Sequence, residues 1–183
     1  MDLLGNILPF GAPYLKWISS PPPATSLDNS LMIHASDPQM RTNLLFQAAV
    51  THISLGSHVT FICSQPLPHL PLHVHAMPRP QPQVMALLKM MYISNYSDLV
   101  KFLASIHNQA VLPEVLIVDD LTGYTAGSQN EASQVHAVAR LCALLKDSLH
   151  FIHAKQGIGK VYTSANNNQQ MISLSQISSS SMF

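Results

Sequence analysis

Charge is what this chain has least of: nine Lys and Arg and nine Asp and Glu make up 10% of its 183 residues, and the formal net charge is zero. The basic residues (Lys16, Arg41, Arg79, Lys89, Lys101, Arg140, Lys146, Lys155 and Lys160) are scattered, with no cluster and no interleaved aromatics. Affinity for nucleic acid rests heavily on grouped cations that neutralise phosphates, so tight binding of DNA by this chain alone is excluded. Cysteine is scarce too. Cys63 and Cys142 both sit in apolar surroundings and read as core thiols of an intracellular protein, with no disulfide framework. The apolar stretch at residues 1–17 lacks a basic leader and is interrupted by Gly5, Pro9, Gly11 and Pro13, so neither a signal peptide nor a membrane span is expected. No Gly-x-Ser-x-Gly elbow is present, and no grouping of nucleophile, His and carboxylate marks a hydrolase.

What the chain does have is apolar content, 47% of residues, enough to build the core of one domain of ordinary size. With so little charge to cover the surface, part of the apolar area is expected to lie under a partner. The most informative stretch is VLIVDD at 115–120, four apolar residues running straight into Asp119 and Asp120. That pattern fits a strand buried on both faces whose tip emerges at a crevice, where open α/β sheets bind their ligands. In P-loop nucleotide-binding domains an aspartate at that tip orders magnesium.

Upstream, SLMIHA at 30–35 reads as a strand, SDPQMRT at 36–42 as a turn, and 43–55 as a helix with Leu44, Leu45, Ala48, Ala49, His52 and Ile53 at helical spacing. Strand, turn and helix is the context of a phosphate loop. Laid on G-x-x-x-x-G-K-[ST], the chain places Ala35 and Met40 at the glycines, Arg41 at the lysine and Thr42 at the hydroxyl, so Thr42 alone matches. Glycine lets bare backbone approach phosphate, and Met40 adds a side chain where there is least room. Arg41 keeps the charge but carries a broad planar head in place of a compact ammonium. These departures predict weak or absent binding of ATP and Mg2+, with hydrolysis weak or lost.

The remaining pieces alternate. A strand at 57–63, a Pro- and His-rich connection at 64–83, a strand at 87–93, a helix at 97–108, the 115–120 strand, a loop at 123–130, a helix at 131–154 and a strand at 159–164 follow in turn. Such βαβ alternation argues for an α/β fold with a mainly parallel sheet flanked by helices. Residues 31–35, 59–63 and 115–119 are expected as neighbouring strands, bringing Asp119 close to Thr42.

Several segments carry a likeness to known proteins: NLLFQAA at 43–49, VTFIC at 59–63 followed by Gln65, Pro66 and Leu67, YSDL at 96–99, and 115–124. Over residues 31–153 the chain resembles the small recombinase paralogues of the RecA/Rad type, and within them the ATPase-like subunits that accompany a SWIM-type zinc-finger protein in the animal Shu complex. The resemblance implies a RecA-like P-loop core, with Ala35, Met40, Arg41 and Thr42 as a degenerate Walker A loop and Asp119 and Asp120 as the Walker B-like pair. It implies a nuclear, accessory role in homologous recombination and DNA repair, as a heterodimer with the SWIM-type protein. The pair would support RecA/Rad-family recombinase filaments on single-stranded DNA contacted through the complex. An active P-loop ATPase and an α/β interaction domain without nucleotide or DNA are the competing readings.

The domain plan is an N-terminal segment and Pro-rich linker at 1–29, the α/β domain at 30–164, and a Ser/Asn/Gln-rich, disordered tail at 165–183, so that the RecA-like sheet looks truncated at its C-terminal side. His69, His73 and His75 crowd a Pro-rich loop without Cys or carboxylate company, which argues against a metal site. Gly157 to Lys160 (GIGK) follows a helix and reads as its C-cap. Phe46 and Ala49 match the Phe-x-x-Ala pattern by which recombinase subunits dock, but helix amphipathicity assigns them to the core. The helix at 131–154 is apolar on more than one side, which predicts burial on two faces, one of them against a partner.

Overall fold

In a computed structural model, the described residues are 29–72, 81–127 and 131–166. Five strands form one sheet: β1 (Ser30–His34), β2 (Val59–Cys63), β3 (Leu88–Tyr92), β4 (Val115–Val118) and β5 (Lys160–Ala165), in the order β1-β5-β4-β2-β3. Every pairing is parallel. The α/β class with a parallel sheet flanked by helices is therefore as the sequence pattern indicates.

The helices are α1 (Pro38–Ser54), the short α2 (Pro82–Met85), α3 (Tyr96–Ala104), the short α4 (Leu121–Thr125) and α5 (Glu131–Gln156). The sheet divides the core in two. On one face Val59, Phe61, Val115, Ile117 and Tyr162 meet Leu45, Phe46, Ala49 and Ile53 of α1. On the other, Ile62, Leu116, Val118 and Val161 meet Leu99 and Leu103 of α3, Leu121 of α4 and Leu141, Leu145 and Ile152 of α5. The alternation along β4, odd residues to α1 and even residues to α5, is the period of two that a strand imposes. It also explains why β4 is continuously apolar: both faces are covered. Phe46 packs edge-on against Phe61 in this core, so its Phe-x-x-Ala match is structural.

Several expectations need correcting. β1 is not a neighbour of β4, because β5 lies between them and pairs with both. β2 and β4 are adjacent as expected. Strand β5 therefore supplies an interior position of the sheet, and it runs one residue past the expected boundary, with Ala165 fully buried. The turn expected at 36–42 is largely helix: α1 starts at Pro38, and Met40, Arg41 and Thr42 lie in its first turns.

The long α5 presents one buried stripe, Val138, Leu141, Leu145, Ser148 and Ile152, at the i, i+3, i+4 spacing of a helix on a single surface. Leu144, Leu149 and Phe151 flank that stripe, half-buried against the same core, and within this chain the described residues cover α5 from one side. Its end is a glycine C-cap as read from sequence: Gly157 takes φ +74° and its N–H donates to the His153 carbonyl at 2.8 Å. Among the described residues no helix is long and apolar enough to cross a membrane. Residues 1–28 and 167–183 lie outside the described residues, and with them the linker and nearly all of the tail.

Candidate functional site

The C-terminal ends of β1 and β4 point the same way, but their connections leave on opposite faces, β1 into α1 and β4 into α4 and α5. Such divergence opens a crevice above the strand ends. An open cleft of about 430 Å³ lies there, lined by Arg41, Thr42, Asp119, Asp120, Cys63 and the loop from Ser64 to Pro71.

Asp119 follows β4 directly and is 7% exposed. One of its carboxylate oxygens, Oδ2, accepts from the Thr42 hydroxyl at 2.5 Å, and the other, Oδ1, from the Ser164 hydroxyl of β5 at 2.6 Å. The sequence-derived pairing of Thr42 with Asp119 is thus present. Asp120 adopts a left-handed conformation, φ 61° and ψ 73°, uncommon for a residue with a Cβ. Its N–H donates to Ser164 Oγ at 2.9 Å, and its Oδ1 accepts from the Gly123 N–H and the Thr122 hydroxyl, capping α4. A Cβ at Gly123 would sit 3.1 Å from Asp120 Oδ2, so the carboxylate would have to shift by a few tenths of an ångström to admit one.

Arg41 is 2% exposed. It donates from Nη1 to the Ala35 carbonyl at 2.5 Å, and Nη2 lies 3.4 Å from Asp120 Oδ2. All the residues singled out from sequence therefore converge here except Met40, which is 52% exposed and turned outward. Three partners escaped sequence reasoning. Asp37 is the N-cap of α1, its Oδ1 accepting from the Gln39 N–H at 2.9 Å; Asp followed by Pro38 at the first helical position is a legible helix start. Thr122 follows the Asp-Asp pair and holds its second member. Ser164 reaches Asp119 only because β5 inserts beside β4, and nothing local in the sequence signals that.

The residues that would hold magnesium and those that would hold phosphate differ in how well they fit. Thr42 and Asp119, a hydroxyl and a carboxylate in contact, are of the right chemistry to order a magnesium ion. The phosphate side does not fit. Only Ala35, Ser36 and Asp37 separate β1 from α1, so no wide loop exists to wrap an anion. Pro38 offers no N–H, the Arg41 N–H donates to the Asp37 carbonyl at 3.2 Å, and the Asp37 carboxylate stands at the helix N-terminus that phosphate would occupy. The guanidinium that replaces the loop lysine spans the loop itself. With Asp119 and Asp120 against Arg41 alone, the charge lining the cleft is net negative, the wrong sign for a polyphosphate.

Cys63 at the cleft floor is no nucleophile: burial, with the Asp119 charge adding, pushes its thiol up to about 11, so it stays protonated. The Pro-rich loop is tied down over α1, the Leu72 N–H donating to Asn43 Oδ1 at 3.1 Å and His69 Nε2 lying 3.4 Å from Gln39 Nε2. Among the described residues no three or more of His, Cys, Asp and Glu are grouped so as to hold a metal ion by themselves, and His73 and His75 lie outside them.

No family model matches the chain, and no curated protein matches it in sequence. Among solved structures it is similar to the RadB recombinase, with 12% identity and a TM-score of 0.45 over 74% of this chain and 60% of that one. The likeness is one of backbone course, and the chain spans 60% of the length of the recombinase it matches.

Proposed function

We propose that this chain is an accessory subunit of homologous recombination that acts by assembling with other proteins, its P-loop-derived core no longer depending on nucleotide turnover. The observation that carries the proposal is the Arg41 guanidinium, buried and turned inward onto the Ala35 carbonyl and Asp120, while Thr42 and Asp119 keep the helix-to-strand contact of a P-loop core. Such a core preserves the frame of an ATPase and fills its phosphate site with its own groups. The recombination context comes from the resemblance over residues 31–153, and with it the partners: a SWIM-type zinc-finger protein in a heterodimer, a RecA/Rad-family recombinase, and single-stranded DNA reached through the complex in the nucleus.

Exposed apolar side chains support an assembling role. Met40, Leu70 and Leu72 are each more than half exposed, and all lie on α1's first turns or on the Pro-rich loop tied to them. Scattered basic residues offer no groove for DNA, and Arg41, the cation at the site, is committed internally. Co-expression of the tagged full chain with the SWIM-type protein tests this reading: a stoichiometric complex that retains the recombinase is the expected result. A chain that elutes alone, with neither protein, would overturn it.

A further inference from the structure

We propose that Arg41 and Asp120 form a built-in clasp, an intramolecular replacement for the bound nucleotide that in a P-loop core would join the first helix to the tip of the aspartate-bearing strand. Without a ligand, three elements meet above the sheet: the β1–α1 loop, α1 and the residues after β4. Each has backbone or charge to satisfy. Arg41 addresses all three, rooted on α1, donating to the Ala35 carbonyl of the loop and paired with Asp120 beyond β4. Asp120 is in turn over-determined by the Ser164 hydroxyl, the Thr122 hydroxyl and the Gly123 N–H, which hold it in its left-handed conformation with one oxygen free to face the guanidinium.

Burial gives the clasp its energetic asymmetry. Arg41 is 2% exposed and its Nε has no partner among the described residues, so the guanidinium has little water to fall back on if Asp120 loses its charge. Asp120 is the open member of the pair, its side chain 38% exposed, so removing it strands the buried guanidinium, whereas removing both leaves no charge stranded. A simple contact network would lose stability additively; a clasp would not.

This inference rests on the geometry of the site and deepens the reading of a core that needs no nucleotide, while its test involves no partner protein. Urea unfolding of the full chain is compared for wild type, Asp120→Asn, Arg41→Met and the double variant. Asparagine retains the oxygen that caps α4, removes the charge and turns an amide NH2 in place of an acceptor towards the guanidinium. Asp120→Asn is expected to lower the folded-to-unfolded ratio by roughly 100-fold or more, and adding Arg41→Met is expected to recover at least about tenfold of that loss. Should Asp120→Asn fail to fold at all, folding of the double variant is the same rescue in its extreme form. Magnesium pyrophosphate is expected to leave the wild-type midpoint unchanged, since the guanidinium is already occupied. A double variant no more stable than Asp120→Asn overturns the clasp. So does wild-type stabilisation by magnesium pyrophosphate that disappears in Arg41→Met, because the guanidinium would then be open to phosphate. Loss of the recombination partners in co-purification would leave the clasp intact, and loss of the clasp would leave the partners untouched.

Discussion

The two halves of the crevice differ in how closely they match the P-loop pattern. The β4 half keeps an apolar strand buried on both faces and a carboxylate at its tip, with Asp119 in contact with Thr42. The β1–α1 half has Ala35 and Met40 where that pattern has glycine, a connection of three residues, and a helix that begins at Pro38. The difference teaches which features are held by the core and which by a ligand. Val115 to Val118 are fixed by packing against α1 on one side and α5 on the other, whatever binds above them. Ala35 to Met40 touch little of that core, so packing places few demands on their side chains.

Substitution in the core half should have the largest effect. Ile117 is fully buried between α1 and the sheet, and Ile117→Ala is expected to cost about 2–5 kcal/mol in urea unfolding. A loss under about 1 kcal/mol would mean that the α1 face is not packed as described.

Acid should attack the α1 face next. His52 Nε2 lies 2.9 Å from the Tyr162 hydroxyl, and its imidazole pKa is lowered from the ordinary 6.5 to about 4, chiefly by burial and secondarily by the Lys160 charge. The ring is neutral when folded, so its contribution to stability is complete above pH 6.5 and is lost as pH falls from there towards 4, where the unfolded chain binds the proton first. The shift corresponds to about 3 kcal/mol between those limits. Stability followed against pH should show this loss in wild type and a much shallower one in His52→Gln; identical slopes would remove His52 from the account.

Smaller effects belong to the loop half. Asp37→Ala removes the N-cap of α1 and should cost about 1 kcal/mol. Met40 faces solvent at a position where a phosphate loop has glycine, and Met40→Ala should stay within about 0.5 kcal/mol of wild type. A large cost at Met40 would place it in a packed contact and sharpen the contrast differently, making the loop half part of the core.

Much of this was legible in the sequence, because periodicity reports burial. The apolar run at 59–63, the unbroken run at 115–118 and the helical spacing at 44–53 each state which faces are covered, and each element exists. Asp119, Asp120, Arg41 and Thr42 were recognisable as one site from their order alone. What the sequence hid was non-local or masked by a stronger expectation. The insertion of β5 between β1 and β4 depends on pairing across the whole chain, so Ser164 could not be connected with Asp119 beforehand. The helix start at Asp37 and Pro38 was written in plain capping chemistry, but the phosphate-loop template obscured it.

Calorimetric titration of the full chain with magnesium-ATP tests the central claim most directly, that the chain's own groups have taken the place of phosphate above the sheet. The account predicts no saturable heat for wild type. Saturable binding that is abolished by Arg41→Ala and by Asp119→Ala would contradict it and show the crevice to be a working nucleotide site.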